Sequence, residues 1–353
     1  MEAEKRILFA CARQDFESEH ELVVRDAARR HEIDWELVWS VARSQGLAPL
    51  VYTNLKRCTP TALGMPAPIE QKFNQYLWQN MVRRENTARK VGDILAFCNQ
   101  RSAEVMVIKG AALNIQVYEQ PWYTFSEDVD LVVRPGCTDR NEADNAEIVS
   151  FLEEVNLERG SLQEHIEYEF FEHHDVTMNG ILPVDFREIR REAVPIRFRG
   201  HDALVMSPEN MLISACISSS RKRFFRLKSL CDIRELVDCH QDLDWQGMIR
   251  RAQAYRCHNI VYTAMLVVDL TLGCRLPNGV LDSLGVHPFR AGVITCLASI
   301  LCRSASLASL SHGEDQGEPG EKWSLPLLLT YATYSWDQTR GKVKRVLEAR
   351  QGS

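Results

Sequence analysis

Residues 104–130, EVMVIKGAALNIQVYEQPWYTFSEDVD, constrain the chain more than any other stretch. The run EVMVI is short, apolar and β-branched, and it reads as a buried strand. Lys109-Gly110 then turns the chain, and Ala111 to Tyr118 reads as a helix of two turns. After a loop, a second strand begins at Asp128. Side chains alternate along a strand, so Asp128 and Asp130 share a face, roughly 7 Å apart. Val129, Leu131 and Val133 then point the other way, into a core. Two acids on the open face of a packed strand are costly unless a cation neutralises them.

A third acid follows. Asn179-Gly180 is a hairpin-turn signal between Phe170–Met178 and Ile181–Arg187. In the second of those strands Leu182, Val184 and Phe186 share one face and Asp185 takes the other. Glu188 or Asp175 takes that place if the register differs. Three carboxylates on one side of a small sheet suit Mg²⁺, which takes hard oxygen ligands and retains water and phosphate. Two such ions, roughly 3.5–4 Å apart, activate a nucleophilic oxygen and hold a leaving pyrophosphate. Lys109-Gly110, at the hand-over from strand to helix, offers a cation and free N–H groups to an anion.

The flanks are helical. Residues 1–101 contain DWELVWSVARSQG, a second helix from Ala48 to Leu55 and one long helix from Ile69 to Arg101, with Arg83, Arg84 and Glu85 on its solvated side. Residues 102–204 form the α/β core, and residues 205–353 return to helices, beginning at Ser207-Pro208 with an N-cap and a first-turn proline. The basic link RKRFFRLK joins two of these helices and reads mainly as a solvated connection. The expected class is α+β: a small mixed sheet between N-terminal and C-terminal helical regions.

Net charge is -6, which disfavours a long nucleic acid as partner. Eleven cysteines without a CxxC motif fit neither a disulfide framework nor a zinc ribbon and point to a reducing, cytoplasmic setting. The N-terminal residues lack the sustained apolar run of a secretory signal. The apolar stretch from Ala291 to Leu310 carries Arg303 and several Ser and Cys, so it reads as a buried helix, not a membrane span. His173-His174-Asp175 reads as structural, because adjacent histidines on a strand face opposite ways.

The pattern IKGAAL…Y…DVDLVV, with Asp185 about 55 residues on, resembles the nucleotidyltransferase superfamily of DNA polymerase beta. It is similar, more narrowly, to an uncharacterised nucleotidyltransferase family with an LKGaaL…Y…R…DiDlLV core, an early DW segment and a late l.DI.eL…DW stretch. Here these read DWELV at 34–38, CDIRELVD at 231–238 and DLDW at 242–245. The resemblance implies a polymerase beta-like fold. It implies Mg²⁺ at Asp128, Asp130 and Asp185, two ions in all, with Asp185 also serving as general base or positioning the acceptor. It implies an NTP substrate, with Lys109, Gly110 and Ala111 at the phosphates and Arg226 and Lys228 reaching the triphosphate from the C-terminal helices. Ala111 stands where the superfamily usually has serine, and no arginine precedes Asp128.

The expected activity is Mg²⁺-dependent transfer of NMP from an NTP, ATP first, to a hydroxyl or phosphate of a small-molecule or protein acceptor, with release of pyrophosphate. One alternative is a catalytically degenerate member that binds a nucleotide or a partner. Another is a metal-dependent phosphohydrolase using the same acids with His173 or His174.

Overall fold

The computed structural model describes residues 2–125, 128–134, 141–157, 165–170, 184–224, 226–304 and 325–334. Strand β1 (Glu104–Ile108) lies at the middle of a five-stranded sheet. Its Val105, Met106, Val107 and Ile108 are all buried, as a strand covered on both faces requires. On one side it pairs antiparallel with β2 (Asp128–Arg134), which pairs parallel with β3 (His165–Phe170). On the other side it pairs parallel with β5 (His201–Val205), which closes a hairpin with β4 (Val194–Phe198). The order is therefore β3-β2-β1-β5-β4, a mixed sheet.

Helices α1 (Glu2–Cys11), α2 (Ser18–Arg30), α3 (Trp35–Ser44) and α4 (Ala48–Arg57) precede α5 (Ala67–Gln100). At 34 residues, α5 is about 50 Å long. It runs from α3 and α4 at one end to the sheet at the other, touching β1 and β5. Helix α6 (Lys109–Gln116) joins β1 to the loop before β2, and α7 (Asn141–Leu157) packs on α5 through a stacked pair, Phe97 and Phe151, 4.1 Å between ring centres. Helix α8 (Phe186–Arg191) precedes the hairpin. The C-terminal half is helical: α9 (Pro208–Arg221), α10 (Leu227–Cys239), α11 (Trp245–Ala254), α12 (His258–Leu272), α13 (Val280–Ser283), α14 (Pro288–Ser304) and α15 (Leu325–Thr333). Ser207 caps α9 by accepting from the Asn210 N–H, with Pro208 inside the first turn, as the sequence signals. Helix α14 covers much of the apolar 291–310 stretch, and no helix among the described residues is long and apolar enough to cross a membrane.

The α+β expectation holds, but one strand does not. Residues 171–183, with the expected turn at 179–180 and with His173, His174 and Asp175, lie outside the described residues. Where the chain resumes, residues 184–187 are not a strand: Asp185 is the N-cap of α8. The reason is local. Asp185 and Glu188 stand three apart ahead of an apolar position, a capping pattern, and Asp185 Oδ1 accepts from the Arg187 N–H at 2.8 Å. The strand beside β2 comes instead from His165–Phe170, whose alternation HIEYEF is clear once seen.

Candidate active site

Strand β2 alternates as its sequence demands. Val129, Leu131 and Val133 are buried, while Asp128 and Asp130 are half-buried on the other face. That face is the floor of a cleft of about 350 Å³. Asp130 pairs in register with Ile108, the last residue of β1, and with Glu167 on β3. Glu167 also lines the cleft, so a third carboxylate, absent from the sequence reading, lies one strand spacing from Asp130.

Helices α9 and α10 bring basic residues to the same cleft. Arg221 and Lys222 end α9, and Arg226 and Lys228 open α10; all four line the cleft, as do Lys109 and Gly110. The link between α9 and α10 is no free solvated connection. Arg223 and Phe224 both take positive φ, 54° and 56°, a costly conformation for such residues. It is held because the Phe224 side chain is fully buried and its N–H donates to the Ser219 carbonyl at 2.8 Å.

Lys228 is deeply placed. Its ammonium donates to Asp232 at 2.7 Å, one turn along α10. The other Asp232 oxygen accepts from the Tyr118 hydroxyl at 2.7 Å. Burial first, then the Asp232 charge, pushes the Tyr118 hydroxyl far above its ordinary value, so it stays a donor. The tyrosine after α6 thus ties the α/β core to the basic wall.

Lys109 is the residue between the two faces. It takes φ +54° at the strand-to-helix turn, the left-handed region that glycine would occupy without strain. Its ammonium forms an ion pair with the Asp130 carboxylate. Ala111, next in the expected phosphate cradle, is buried and not among the cleft-lining residues.

Asp128 is set by the loop ahead of it. The Phe125 N–H donates to the Gly46 carbonyl at 2.8 Å, and the Leu50 N–H donates to the Tyr123 carbonyl at 3.1 Å. The Asn80 amide donates to the carbonyls of Trp122 and Thr124, and the Arg84 guanidinium donates to the Thr124 carbonyl at 2.9 Å. Thr124 itself is fully buried, its hydroxyl donating to Asn114 of α6 at 2.9 Å. Arg84 therefore does not belong to a solvated face, as its charge suggested: only 7% of it is exposed. The signal was present, since Asn80 and Arg84 stand four apart and so share one side of α5.

The sequence-derived acids do not all meet. Asp128 and Asp130 share the cleft floor; Asp185 is exposed at the start of α8 and is not among the lining residues. Its neighbour Val184 lines an apolar annex that shares Lys109 with the cleft. Glu188 lies exposed on α8, in a shallow depression with Arg191 and Arg250. Among the described residues no group of three His, Cys, Asp or Glu side chains is drawn together for a metal. The donor chemistry at Asp128 and Asp130 nevertheless suits Mg²⁺, which binds through one or two carboxylates and fills its remaining positions with water and substrate phosphate. That a lysine ammonium already neutralises Asp130 marks the place as one that attracts a cation.

A family model described as an uncharacterised nucleotidyltransferase matches residues 31–273. That span contains the whole cleft lining, from Ile108 through Asp232. No curated protein and no solved structure matches the chain.

Proposed function

The chain belongs to the family of uncharacterised nucleotidyltransferases, and on that premise we propose that its cleft transfers NMP from an NTP, ATP first, to a hydroxyl or phosphate of a small-molecule or protein acceptor. The observation that carries this reading is that one cleft is lined both by carboxylates of the sheet, Asp128, Asp130 and Glu167, and by cations of α9 and α10, Arg221, Lys222, Arg226 and Lys228. A nucleoside triphosphate with its metal offers a partner to each.

In this reading Lys109, Arg226 and Lys228 bind the triphosphate, and Gly110 at the start of α6 brings backbone close to it. Asp128 and Asp130 would hold Mg²⁺, which when bound would supply charge stabilisation during phosphoryl transfer. Lys109 exchanges Asp130 for phosphate as the cleft fills. Asp185, next in sequence to annex-lining Val184, would orient the acceptor hydroxyl and take its proton on leaving its cap on the Arg187 N–H. The acceptor oxygen bonds to Pα while the bond from Pα to the β-phosphate bridging oxygen breaks, and pyrophosphate leaves with that electron pair.

The Lys109–Asp130 pair also favours a second reading, a degenerate site that holds nucleotide without turnover. Incubation with Mg²⁺ and each α-labelled NTP, alone and with cell extract, separates the two. Label transfer that disappears in Asp128→Ala/Asp130→Ala supports transfer. NTP binding without transfer supports the degenerate site. Release of inorganic phosphate without label transfer supports a phosphohydrolase and sinks both.

A further inference from the structure

Beside the cleft lies a smaller annex, about 80 Å³, between α8, α9 and the end of β1. It shares Lys109, Ser214, Ser218 and Arg221 with the cleft, so the two spaces are contiguous. Its own lining is apolar: Val184, Ile189, Ile213 and Ile217, with Tyr255. On α9 the residues Asn210, Ile213, Ser214, Ile217, Ser218 and Arg221 follow helical spacing, so the whole stripe faces this space.

Asn210 is the informative residue. It lines the annex and only 3% of it is exposed. Its Nδ2 donates to Glu192 Oε2 at 2.8 Å, and Glu192 is held in turn by Arg251 at 2.9 Å. That contact fixes which way the amide lies, since only nitrogen can donate to a carboxylate. Oδ1 is buried and accepts no hydrogen bond among the described residues. A buried acceptor without a donor is costly, and where it borders a cavity, as at Asn210, it favours a ligand that brings one.

We propose that the annex is the acceptor subsite, and that the acceptor is a small alcohol with a branched apolar body and a second hydrogen-bond donor for Asn210 Oδ1. The inference rests on nucleotidyl transfer in the adjoining cleft. The apolar body fills the space between Ile213, Ile217 and Ile189, the second donor meets Asn210, and the reacting hydroxyl points past Lys109 toward the cleft. Its oxygen forms the new bond to Pα, pyrophosphate departs with the electron pair of the broken bond, and the proton passes to a carboxylate. A sugar or polyol lacks the apolar body. A protein side chain would have to enter past the cationic rim of Lys109 and Arg221.

The test uses the full chain with 4-methylpentane-1,2-diol as probe, followed by ligand-observed NMR, while a fluorescent ATP analogue reports the cleft separately. The diol is expected to bind at least tenfold more tightly than 4-methylpentan-1-ol, which lacks the second donor, and glycerol is expected not to compete. Ile217→Trp, which fills the annex from a half-buried position, is expected to weaken the diol at least tenfold and to leave the ATP analogue within twofold. Ile217→Ala, which opens the same wall, is expected to admit longer branched diols, a gain that misfolding cannot produce. Equal binding of glycerol and the diol, or no change in diol binding in Ile217→Trp, overturns the proposal. Loss of ATP-analogue binding alone, with the diol results intact, overturns nucleotidyl transfer and leaves the annex as an alcohol site.

Discussion

Lys109 and Asp130 are joined by an ion pair across the end of the β1–β2 ladder, where Ile108 and Asp130 are register partners. The lysine is 21 residues from its acid in sequence, yet the sheet register brings them together. A cation that guards a carboxylate of the cleft must move for a metal to bind there.

Lys109→Met removes the guard and a phosphate contact together. Affinity for the ATP analogue without metal is expected to fall about tenfold, the loss of one charge-assisted contact. Affinity of the free protein for Mg²⁺ is expected to rise, because Asp130 is no longer neutralised. Isothermal calorimetry of each ligand alone reads both, and a fall in Mg²⁺ affinity would remove the guard role.

Gly46 has φ +71°, and a Cβ there would lie 3.2 Å from the Phe125 carbonyl oxygen. Gly46→Ala is expected to cost about 1–2 kcal/mol from the left-handed backbone alone. The displaced loop should also lower label transfer, since Phe125 sits three residues before Asp128. Urea denaturation and the transfer assay measure the two effects.

Arg84 and Asn80 hold the same loop from α5. Arg84→Ala removes a hydrogen bond from a charged donor to a buried carbonyl, and about 1.5–3 kcal/mol is expected. A double-mutant cycle of Arg84→Ala with Gly46→Ala should show coupling, because both substitutions release one segment. Strict additivity would mean that the loop is not a shared element.

Lys228, Asp232 and Tyr118 form one buried unit. Tyr118→Phe removes a hydrogen bond to a charged acceptor and is expected to cost about 1.5–3 kcal/mol. Lys228→Ala strands Asp232 and is expected to cost about 3–5 kcal/mol. Thermal melts rank the two, and a reversed ranking would argue that Asp232 finds another partner.

Glu104 gives a pH dependence. Burial tends to raise its carboxyl, but Arg190, then Arg134, override it and hold the group below its ordinary value. The folded protein therefore binds this proton less readily than the unfolded chain. Its contribution is full above pH 4.5, the ordinary value, and disappears as pH falls through the depressed folded value. Glu104→Gln should be less stable at neutral pH and should lose part of the acid-side slope. Stability curves in urea between neutral and acid pH test this. An unchanged slope would show that the Arg190 contact, which fastens α8 to β1, is not an energetic one.

The sheet and its acids were legible because alternation and β-branching are strong local signals. Val129, Leu131 and Val133 against Asp128 and Asp130 need no tertiary information. Asp185 was misread because its capping pattern with Glu188 is as local as a strand, and the apolar alternation around it outweighed the cap. Glu167 escaped notice because nothing in HIEYEF says which strand it joins. Arg84, Arg221 and Lys222 have charges that normally face water, and only the long-range arrangement of α5, α9 and the sheet buries Arg84 and sets Arg221 and Lys222 on the cleft. The link RKRFFRLK yielded Arg226 and Lys228, but not the buried Phe224 that fixes its path.

The two sides of the cleft are also separated in time. The acid floor and the segments that brace its loop, from Gly46 to Glu167, are complete before the basic wall begins at Arg221. At roughly 5–20 residues per second, the gap is on the order of 3–10 s. During that interval the nascent chain carries carboxylates without their phosphate wall, and of the cleft's cations only Lys109 has been made. The ion pair that guards the finished site is therefore also the earliest charge compensation available to the half-made one.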